Sequence, residues 1–455
     1  MSSFIGVTLR LENQDIIDRV TAPTVLQPVA RVDLYNASAK TAVEITSVKS
    51  FSIKRSLSGD SFSLVIGDAT EWNERASGHT DLLSGQKKYW LKFYIGYKIA
   101  GTDYLYPYFT GLPTLVAEDY GPSSEAITVT GYGLDYLLSL IDGSVSAQTE
   151  DISTIIQDFI DASDLEGSFV SLPAKALIDE DINNDQAAHT VDYLMGAFPD
   201  SVIERYVDNL GNLIIHEKQN SAAEFSYDGE IVMVLSRTMN TQNLFTVCTV
   251  TGSPLRKAVY KIYTAYYWDD LEMIYYDYIY IDIYNHGFET GDLITMGGWA
   301  GEYSYLNCSG LYVTNINSNR ISVPLQLTQP DIISVTPSCA WVVGASDSIS
   351  AEVEDATGYL TNYGRRVKSI SNKFVNLSAD AATLAGTIIT DSINRMQQVR
   401  IKVPFNPYLR PGSIISVTEN DRSLTSDKIY CEDITAVYSP GQESAQTISG
   451  HILPA

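Results

Sequence analysis

The sequence of 455 residues has few cysteines and no long hydrophobic run. Its four cysteines are widely spaced without a C-x-x-C pair, which is typical of thiols that pack as small core residues in a reducing cytoplasm. No segment reaches the roughly 18 apolar residues of a membrane span. No early segment combines a basic start with an apolar core, so a signal peptide is not predicted. We therefore expect a chain that folds in a cytoplasm and has no membrane segment.

Basic residues are also scarce: 30 Lys and Arg stand against 55 Asp and Glu, which gives a net charge of −25. A surface of this sign repels nucleic acid and anionic lipid, so specific binding of either is not expected. The plain interpretation is that the charge keeps the protein soluble. A second interpretation is that several copies line a channel through which DNA slides without sticking.

The sequence patterns of enzymes and metal sites are incomplete. His216-Glu217 begins an H-E-x-x-H pattern, but Asn220 takes the place of its second histidine. Gly131-Tyr132-Gly133 is half of a dinucleotide fingerprint, and its third glycine is missing. The five histidines belong to no known nucleophile motif. We predict no catalytic, cofactor-binding or metal-binding residue, and no cofactor.

Weaker candidates have plainer explanations. The run 179–185 resembles the start of a calcium loop, but Asn184 and Thr190 replace its required glycine and bidentate glutamate, so an exposed acidic loop is favoured. The isolated pairs Lys87-Lys88 and Arg365-Arg366 suit surface salt bridges better than phosphate binding. Five acids alternate with tyrosines as on the solvent face of a strand, although they could supply the paired carboxylates of a glycosidase: Asp269, Asp270, Glu272, Asp277 and Asp282.

Length and tyrosine content indicate a multidomain protein rich in strands. A chain of 455 residues is too long for one core. It has 30 tyrosines against 13 phenylalanines, and tyrosine suits both strands and wet interfaces. Short alternating runs with turn residues between them predict a mainly β protein with some α+β elements.

Four changes of pattern predict the domains. Residues 1–143 read as a first β-barrel, and 144–222 as a small α/β module. Residues 223–258 and 346–455 read as a second barrel, which is interrupted by a tyrosine-rich β insert at 259–345. In the module, isoleucines at helical spacing follow the acidic start signal 149–151, and Thr190 is placed to cap a second helix: Ile152, Ile155, Ile156, Ile160.

One internal echo suggests that the barrels are duplicates. The run from Leu115 to Gly131 and the run from Ile434 to Gly450 both consist of a strand, a turn with proline, a second strand and a glycine. Because hairpins are common, chance similarity and duplication are both open interpretations at this stage.

The C-terminal part carries a resemblance to a known family. A turn at 361–366 is followed by a small-residue helix from Ser378 to about Met396 and by the segment 403–417, which reads VPFNPYLRPGSIISV. Two strand-like runs then close the chain. This order resembles the C-terminal barrel of bacteriophage tail (baseplate) hub proteins, and the runs 51–66 and 129–138 resemble the opening barrel of the same family.

The resemblance implies a structural protein and not an enzyme. Hub proteins carry two tail-tube-like barrels with an α/β domain between them, so a homotrimer offers six similar barrels to a six-fold tail tube. The resemblance implies a hub that joins the tube to the three-fold central spike and lines the DNA channel. Such a hub belongs to the virion after assembly in the host cytoplasm. The implied partners are tail tube, spike, tape measure and neighbouring baseplate proteins.

The insert at 259–345 has no place in the family pattern, which leaves two alternative functions open. The chain could be a tail-tip adhesin that binds a host surface through the tyrosine-rich insert. It could also be a tail-associated peptidoglycan hydrolase, although hydrolase domains are usually appended to a hub and the second barrel runs to the last residue, Ala455.

Overall fold

The computed structural model forms a mainly β protein, which confirms the predicted class. Four α-helices and a 3-10 helix accompany the strands in the part of the chain that the structure describes. The described residues are 27–67, 88–99, 102–121, 124–165, 167–198, 203–217, 223–228, 232–253, 257–269, 274–283, 288–299, 304, 306–324, 340–344, 349–372, 374–375, 378–419, 424–440 and 445–453.

Seven strands form the first part of the chain. They are β1 (Gln27–Asn36), β2 (Thr41–Glu44), β3 (Val48–Ser56), β4 (Ser61–Ile66), β5 (Tyr89–Ile99), β6 (Thr102–Gly121) and β7 (Ser124–Gly133). In β3 and β4, Phe51, Ile53, Phe62 and Leu64 are buried, while the residues between them are partly or fully exposed. Successive side chains of a strand point to opposite faces, so this alternation turns one face of the sheet into a core.

The α/β module follows. A 3-10 helix (Leu134–Leu140) leads to β8 (Val145–Asp151), α1 (Ile152–Ala162), β9 (Phe169–Ser171), β10 (Ala176–Ile182), α2 (Ala187–Met195), β11 (Ile203–Val207) and β12 (Leu213–Glu217). The acidic start signal of α1 is confirmed, because the Asp151 side chain accepts a hydrogen bond from the backbone N–H of Ser153 at 2.9 Å. The predicted cap of the second helix is wrong: Thr190 is buried inside α2, and its hydroxyl donates to the carbonyl of Gly143 at 2.6 Å.

The remaining elements lie between Phe225 and Ile452. They are β13 (Phe225–Asp228), β14 (Met233–Met239), β15 (Val247–Thr251), β16 (Lys257–Ala258), β17 (Lys261–Asp269), β18 (Ile274–Asp282), β19 (Leu293–Gly297), β20 (Cys308–Tyr312), β21 (Thr314–Asn317), β22 (Arg320–Pro324), β23 (Trp341–Gly344), β24 (Ser350–Glu354), α3 (Tyr359–Tyr363), β25 (Val367–Ser371), α4 (Ser378–Asn394), β26 (Gln397–Pro404), β27 (Ile414–Glu419), β28 (Leu424–Tyr438) and β29 (Ala445–Ile452).

One sheet of 13 strands runs through both parts of the molecule. Its order is β14-β26-β29-β28-β3-β4-β7-β6-β5-β1-β2, and β27 also pairs with β28 and carries β13 on its other edge. Within the described residues, neither part closes into a ring of strands. The two parts form one continuous sheet because β28 pairs antiparallel with β3.

The two parts have the same strand order in space and along the chain. The order β3-β4-β7-β6-β5-β1 in the first part corresponds to β14-β26-β29-β28-β27-β13 in the second. One pair differs, since β1 and β5 are antiparallel whereas β13 and β27 are parallel. We call these six-strand sets the first half and the second half of the sheet.

A bulge marks the hairpin of β6 and β7. The register skips between Pro113 and Leu115, and Gly131 lies opposite Pro113. A Cβ atom at Gly131 would lie 2.0 Å from the carbonyl oxygen of Leu112, so only glycine fits where the two backbones approach.

The hairpin of β28 and β29 has the same bulge. Its register skips between Cys431 and Asp433, and Gly450 lies opposite Cys431. A Cβ atom at Gly450 would lie 1.9 Å from the carbonyl oxygen of Tyr430. The echo in the sequence therefore has a structural counterpart, although position 115 matches position 433 and not the neighbouring isoleucine that the echo aligned with it.

A small α/β unit separates β14 from β26 in the chain. Strand β15 pairs antiparallel with β24 and parallel with β25, and this sheet is separate from the large one. Helix α4 packs on it through small and branched residues, including Ala381, Ala385 and Ile389, against Cys248 and Val250. Small side chains let the helix lie close to the sheet, which explains the small-residue composition of the segment.

The insert forms two four-stranded sheets, β16-β23-β19-β20 and β17-β18-β22-β21. Every buried residue of the insert's hydrophobic core lies within 259–342, so the insert buries its apolar surface by itself. The insert begins after Thr251 at the end of β15 and ends before Ser350 at the start of β24. These two residues pair with each other across the two strands. The backbone N–H of Gly252 donates to the carbonyl of Ile349 at 2.7 Å, so the insert's two ends meet as a hairpin would.

Candidate functional site at the junction of the two halves

The segment 404–412, which carries the resemblance, lies where the two halves meet. Phe405 belongs to the second half but is 1% exposed and packs in the core of the first half. Its ring meets the ring of Tyr108 edge-on at 5.0 Å and that of Tyr97 at 6.5 Å. Since edge-to-face aromatic pairs add to the gain from burial, Phe405 fixes one half on the other.

Polar groups around Phe405 are paired across the same seam. The hydroxyl of Tyr97 donates to the carbonyl of Phe405 at 3.2 Å. The Gln446 amide donates to the hydroxyl of Tyr108 at 3.3 Å and accepts from the backbone N–H of Asn406 at 2.9 Å. The Asn406 amide donates in turn to the Tyr227 hydroxyl at 3.1 Å. A buried network in which partners come from distant parts of the chain specifies one arrangement of those parts.

Arg55 connects three parts of the molecule. It lies on β3 and is 1% exposed. Its guanidinium donates to the carbonyl of Val207 and to the side-chain oxygen of Asn209, both at 2.6 Å and both in the α/β module. The amide of Asn209 donates onward to the carbonyl of Pro407 in the second half at 2.7 Å. The first half, the module and the second half thus share one chain of hydrogen bonds.

Burial controls the protonation of the acids and phenols at this junction. Asp60, whose carboxylate lies 3.7 Å from the Arg55 guanidinium, has its pKa raised to about 7, first by burial and against the attraction of Arg55. Burial raises the pKa of Tyr108 to about 12 and also raises the pKa of Tyr227. Burial also raises the pKa of Asp135, although its neighbour Arg205 favours the charged form. The phenols stay neutral and donate or accept hydrogen bonds, which is a structural role.

A second set of contacts holds the module on both of its neighbours. The Arg410 guanidinium lies 4.3 Å from the ring centroid of Tyr206. The segment 404–412 therefore contacts the module at a second point, besides the hydrogen bond from Asn209 to Pro407. The Asn372 amide donates to the carbonyl of Gly196 at 3.0 Å, which ties the module to the end of β25. The module therefore contacts the second half and the small α/β unit as well as the first half.

The residues that resembled enzyme motifs have structural partners. His216 lies on β12, where its Nδ1 donates to the Glu217 carbonyl at 2.8 Å and its Nε2 lies 3.6 Å from Glu204. Gly131 and Gly133 lie on β7, and Gly131 serves the bulge described above. Residues 179–182 form the end of β10, which pairs with β8. The expected acidic loop is therefore a strand at this point.

The acidic and basic candidates also find partners. Asp282 is buried and receives two hydrogen bonds from Arg320, at 2.6 and 3.1 Å. Arg365 donates to Glu352 and Glu354 at 2.7 Å each, which confirms salt bridging at this residue. Its neighbour Arg366 donates to the backbone carbonyl of Thr241 instead. The side chains of the four other acids of the series, at 269, 270, 272 and 277, and that of Lys87 lie outside the described residues.

Sequence reasoning missed Arg55, Asp60, Asn209 and Gln446 as junction residues. One signal was present: Arg55 occupies an inward position of β3, in step with Phe51 and Ile53. A charged residue on the buried face of a strand needs a partner inside the protein. The identity of that partner was hidden, because Asn209 lies 154 residues away in the sequence.

Metal and membrane sites are not evident in the described part of the chain. No group of three or more His, Cys, Asp or Glu side chains there could hold a metal ion. None of the described helices is long and apolar enough to cross a membrane.

Comparisons with known proteins identify the fold. No family model matches the chain, and no curated protein matches it. The tail protein from Neisseria meningitidis MC58 has a TM-score of 0.55 at 11% identity, over 93% of this chain and 96% of that one. The 43 kDa tail protein of prophage MuSo2 from Shewanella oneidensis has a TM-score of 0.50 at 13% identity, over 92% of this chain and 98% of that one. The chain therefore has the fold of these two tail proteins, which agrees with the resemblance to phage tail proteins that its sequence indicates.

Proposed function

We propose that this chain is the structural hub of a phage tail or baseplate. Three copies form a ring of pseudo-six-fold symmetry that joins the six-fold tail tube to the three-fold central spike and lines the DNA channel. The observation that carries the proposal is the shared strand order of the two halves, with the same bulge and glycine in each. Three chains with two equivalent halves each supply six equivalent surfaces, and closed rotational symmetry is the usual way in which such rings form.

The hub contacts tail tube, spike, tape measure and neighbouring baseplate proteins, and it reaches the virion after assembly in the host cytoplasm. Support comes from the tail-protein fold and from the rigid junction at Phe405 and Arg55, which fixes the halves as an adaptor requires. Domain limits of 1–143, 144–222, 259–345 and the remainder are part of this proposal.

The channel wall is neutral to acidic in the proposed ring. Three chains of −25 each carry −75, and a polyanion slides best past a wall with few basic groups. DNA then passes without specific binding.

The native mass tests the ring directly. We expect the purified full chain to have three times the monomer mass of 50.1 kDa at the concentrations of assembly. A protein that stays monomeric in solution and also in the particle would contradict the proposal.

A tail-tip adhesin is the second candidate function, and the described part of the insert favours it over a purely internal role. The insert's hydrophobic core contains none of its described tyrosines, and Tyr312 is 63% exposed. Exposed tyrosines offer rigid contact area to a partner. The test compares binding of the full chain to host cells with that of a variant in which a short turn replaces residues 254–348. Equal binding would exclude the adhesin.

We propose no enzymatic activity. Among the acids considered for a hydrolase, Asp282 is already committed to Arg320. Release of soluble fragments from host cell walls by the purified chain would contradict this proposal.

A further inference from the structure

An open cleft of about 540 Å³ lies between the small α/β unit and the second half of the sheet. Helix α4 forms one wall, and the other wall comes from β25, β26, β28 and the residues that follow β14. None of the junction residues described above lines this cleft. Since pockets of about 300–1,000 Å³ hold drug-sized ligands, the cleft has room for more than a single amino acid.

The acidic groups of the cleft already have partners within the chain. The Arg395 guanidinium lies 2.9 Å from the Asp391 carboxylate and 3.6 Å from that of Glu432. The Nδ1 atom of His451, on β29, lies 3.1 Å from the same Glu432 carboxylate. Because Arg395 and His451 face these carboxylates, this side of the cleft does not require a cation from outside the chain.

Lys368 is the charged group of the cleft for which the described residues supply no counter-ion. It lies on β25 in register with Cys248, a buried member of the core under α4. Residues in register on neighbouring strands share a face of the sheet, so Lys368 lies on the face that α4 covers. Its ammonium lies 4.8 Å from the ring centroid of Phe245. An aromatic ring attracts a cation but does not neutralise its charge, so the site can still take an anion.

Neutral groups beside Lys368 suit a peptide. The side-chain amides of Asn243 and Gln398 line the cleft, and neither makes a hydrogen bond to the described part of the chain. Each amide has both donors and an acceptor, so it can pair with a peptide group in either sense. Phe245 and Ile388 add partly buried apolar surface. The cleft thus offers one cation, two amides and an apolar wall to the same ligand.

The contact between Lys368 and Phe245 decides which carboxylate fits. A carboxylate bound to this ammonium lies beside the apolar wall. At the end of a peptide chain, the carboxylate and the last side chain are attached to one Cα atom, so both contacts can be made together. An acidic side chain has its carboxylate at the tip and no apolar side chain next to it.

We propose that this cleft binds the C-terminal end of a partner protein whose last side chain is apolar. The terminal carboxylate lies on Lys368, the last side chain packs on Phe245 and Ile388, and the amides of Asn243 and Gln398 pair with the last peptide groups. Capture of a C-terminal carboxylate is a recurring mode of peptide recognition. The inference goes beyond the proposed hub, because it names a way in which another protein attaches to this chain, and it does not depend on the ring.

Fluorescence anisotropy of labelled peptides tests the proposal on the full-length chain. The three probes carry fluorescein at the amino end: glycyl-glycyl-leucine with a free carboxylate, the same peptide with a C-terminal amide, and glycyl-glycyl-glutamate with a C-terminal amide. We expect the free-acid leucine peptide to bind at least tenfold more tightly than the other two. It alone presents a carboxylate beside an apolar side chain.

Lysine substitutions identify the site. We expect Lys368→Met to weaken binding of the free-acid peptide at least tenfold, and Lys368→Arg, which keeps the charge, to retain most of the affinity. The matched control is Lys88→Met, because the Lys88 ammonium lies 4.9 Å from the ring centroid of Tyr89 and does not line the cleft. This control should bind the peptide as the parent chain does. Circular dichroism of each variant checks that it folds.

Each outcome decides the proposal. Equal binding of the acid and amide leucine peptides, an unchanged affinity in Lys368→Met, or absence of binding would overturn it. Equally tight binding of the glutamate peptide would show that the cleft takes any carboxylate and would overturn the assignment to a chain end. The native mass remains the test of the ring. A trimer that binds none of the probes leaves the ring standing, and a monomer that binds the free-acid peptide leaves the cleft standing.

Discussion

At the scale of single residues, the guanidinium of Arg55 is the side chain on which the junction depends most. It donates to Val207 and Asn209 and lies beside Asp60. Val207 and Asp60 are buried, and Asn209 is partly buried. Removing one partner of a buried charged network leaves the others unpaired, and this costs more than the loss of a surface ion pair.

We expect Arg55→Met to lower the free energy of unfolding by about 3–5 kcal/mol, measured by urea denaturation. The matched control is Lys54→Met on the same strand. Lys54 is 51% exposed and pairs with Asp433 at the surface, so its loss should cost about 1 kcal/mol or less. Equal effects of the two substitutions would show that the junction does not depend on Arg55.

Asp60 gives the junction a dependence on pH. Its pKa in the folded protein is about 7, above the ordinary value of 3.8. The folded state therefore binds a proton more tightly than the unfolded state, so this group's contribution to stability is present at low pH and is lost as pH rises through about 7.

We expect the parent chain to be more stable relative to Asp60→Asn at pH 5 than at pH 8. Between these two pH values, the difference in their free energies of unfolding should change by at most about 4 kcal/mol. Asparagine keeps an oxygen that can accept from the backbone N–H of Ser56, which Asp60 bonds at 2.9 Å. A difference that stays constant across this range would mean that Asp60 remains charged when buried.

At the scale of elements, the two bulged hairpins have a shared requirement for glycine. We expect Gly131→Ala and Gly450→Ala each to cost about 2 kcal/mol or more, because the new methyl group would overlap a carbonyl oxygen. Gly386→Ala is the control: it lies in α4, where a new methyl group would have no atom within 4 Å, and alanine is the better helix former, so stability should rise by about 0.5–1 kcal/mol. Urea midpoints of the three variants decide the matter.

The insert is an element that the rest of the fold can spare. Because it has its own core and its ends meet at Thr251 and Ser350, we expect replacement of residues 254–348 by a short turn to leave a soluble, folded chain of unchanged oligomeric state. In a phage tail of the proposed kind, we expect the same variant to leave the tail incomplete, because we propose that the insert contacts neighbouring baseplate or tip proteins. Light scattering checks the first outcome, and electron microscopy of particles checks the second. Infectious particles would show that the insert has no assembly role.

Local patterns predict the elements well and their contacts poorly. The alternation in β3 and β4, the start of α1 at Asp151 and the β content of the insert are visible because they depend on neighbours a few residues apart. The position of Phe405 in the core of the first half depends on Tyr97, which is 308 residues away. A threonine before an apolar run fits the role of a cap, whereas the hydroxyl of Thr190 bonds the buried carbonyl of Gly143 instead.

At the scale of the whole molecule, the net charge predicts weak contact with DNA. We expect the assembled chain to bind duplex DNA no more tightly than about 10⁻⁴ M near physiological salt, since it has few basic groups to neutralise phosphates. Fluorescence anisotropy at about 50 and about 200 mM salt measures this. Tight binding that weakens steeply with salt would point to a basic stripe in the channel and contradict the proposed wall.

The fold class and the likeness to phage tail proteins could be predicted from the order of many weak motifs, from the opening hairpin to the VPFNPYLRPG segment. The continuity of the two halves could not, because the edge pairing of β28 with β3 leaves no local mark in either strand. The small unit of β15, β24 and β25 could not be predicted for a similar reason. Its strands β15 and β24 pair at Thr251 and Ser350, and 98 residues of the chain lie between these two positions.

The covalent link between the two halves has a kinetic consequence for a ring built as proposed. Of its six seams, three form when each chain folds, at a rate that does not depend on protein concentration. The other three join separate chains and form after two encounters between chains, each with its loss of translational and rotational freedom. A ring of six separate halves would need five such encounters. Joining the halves in one chain therefore lets the ring form at a lower protein concentration than a ring of six separate halves would need.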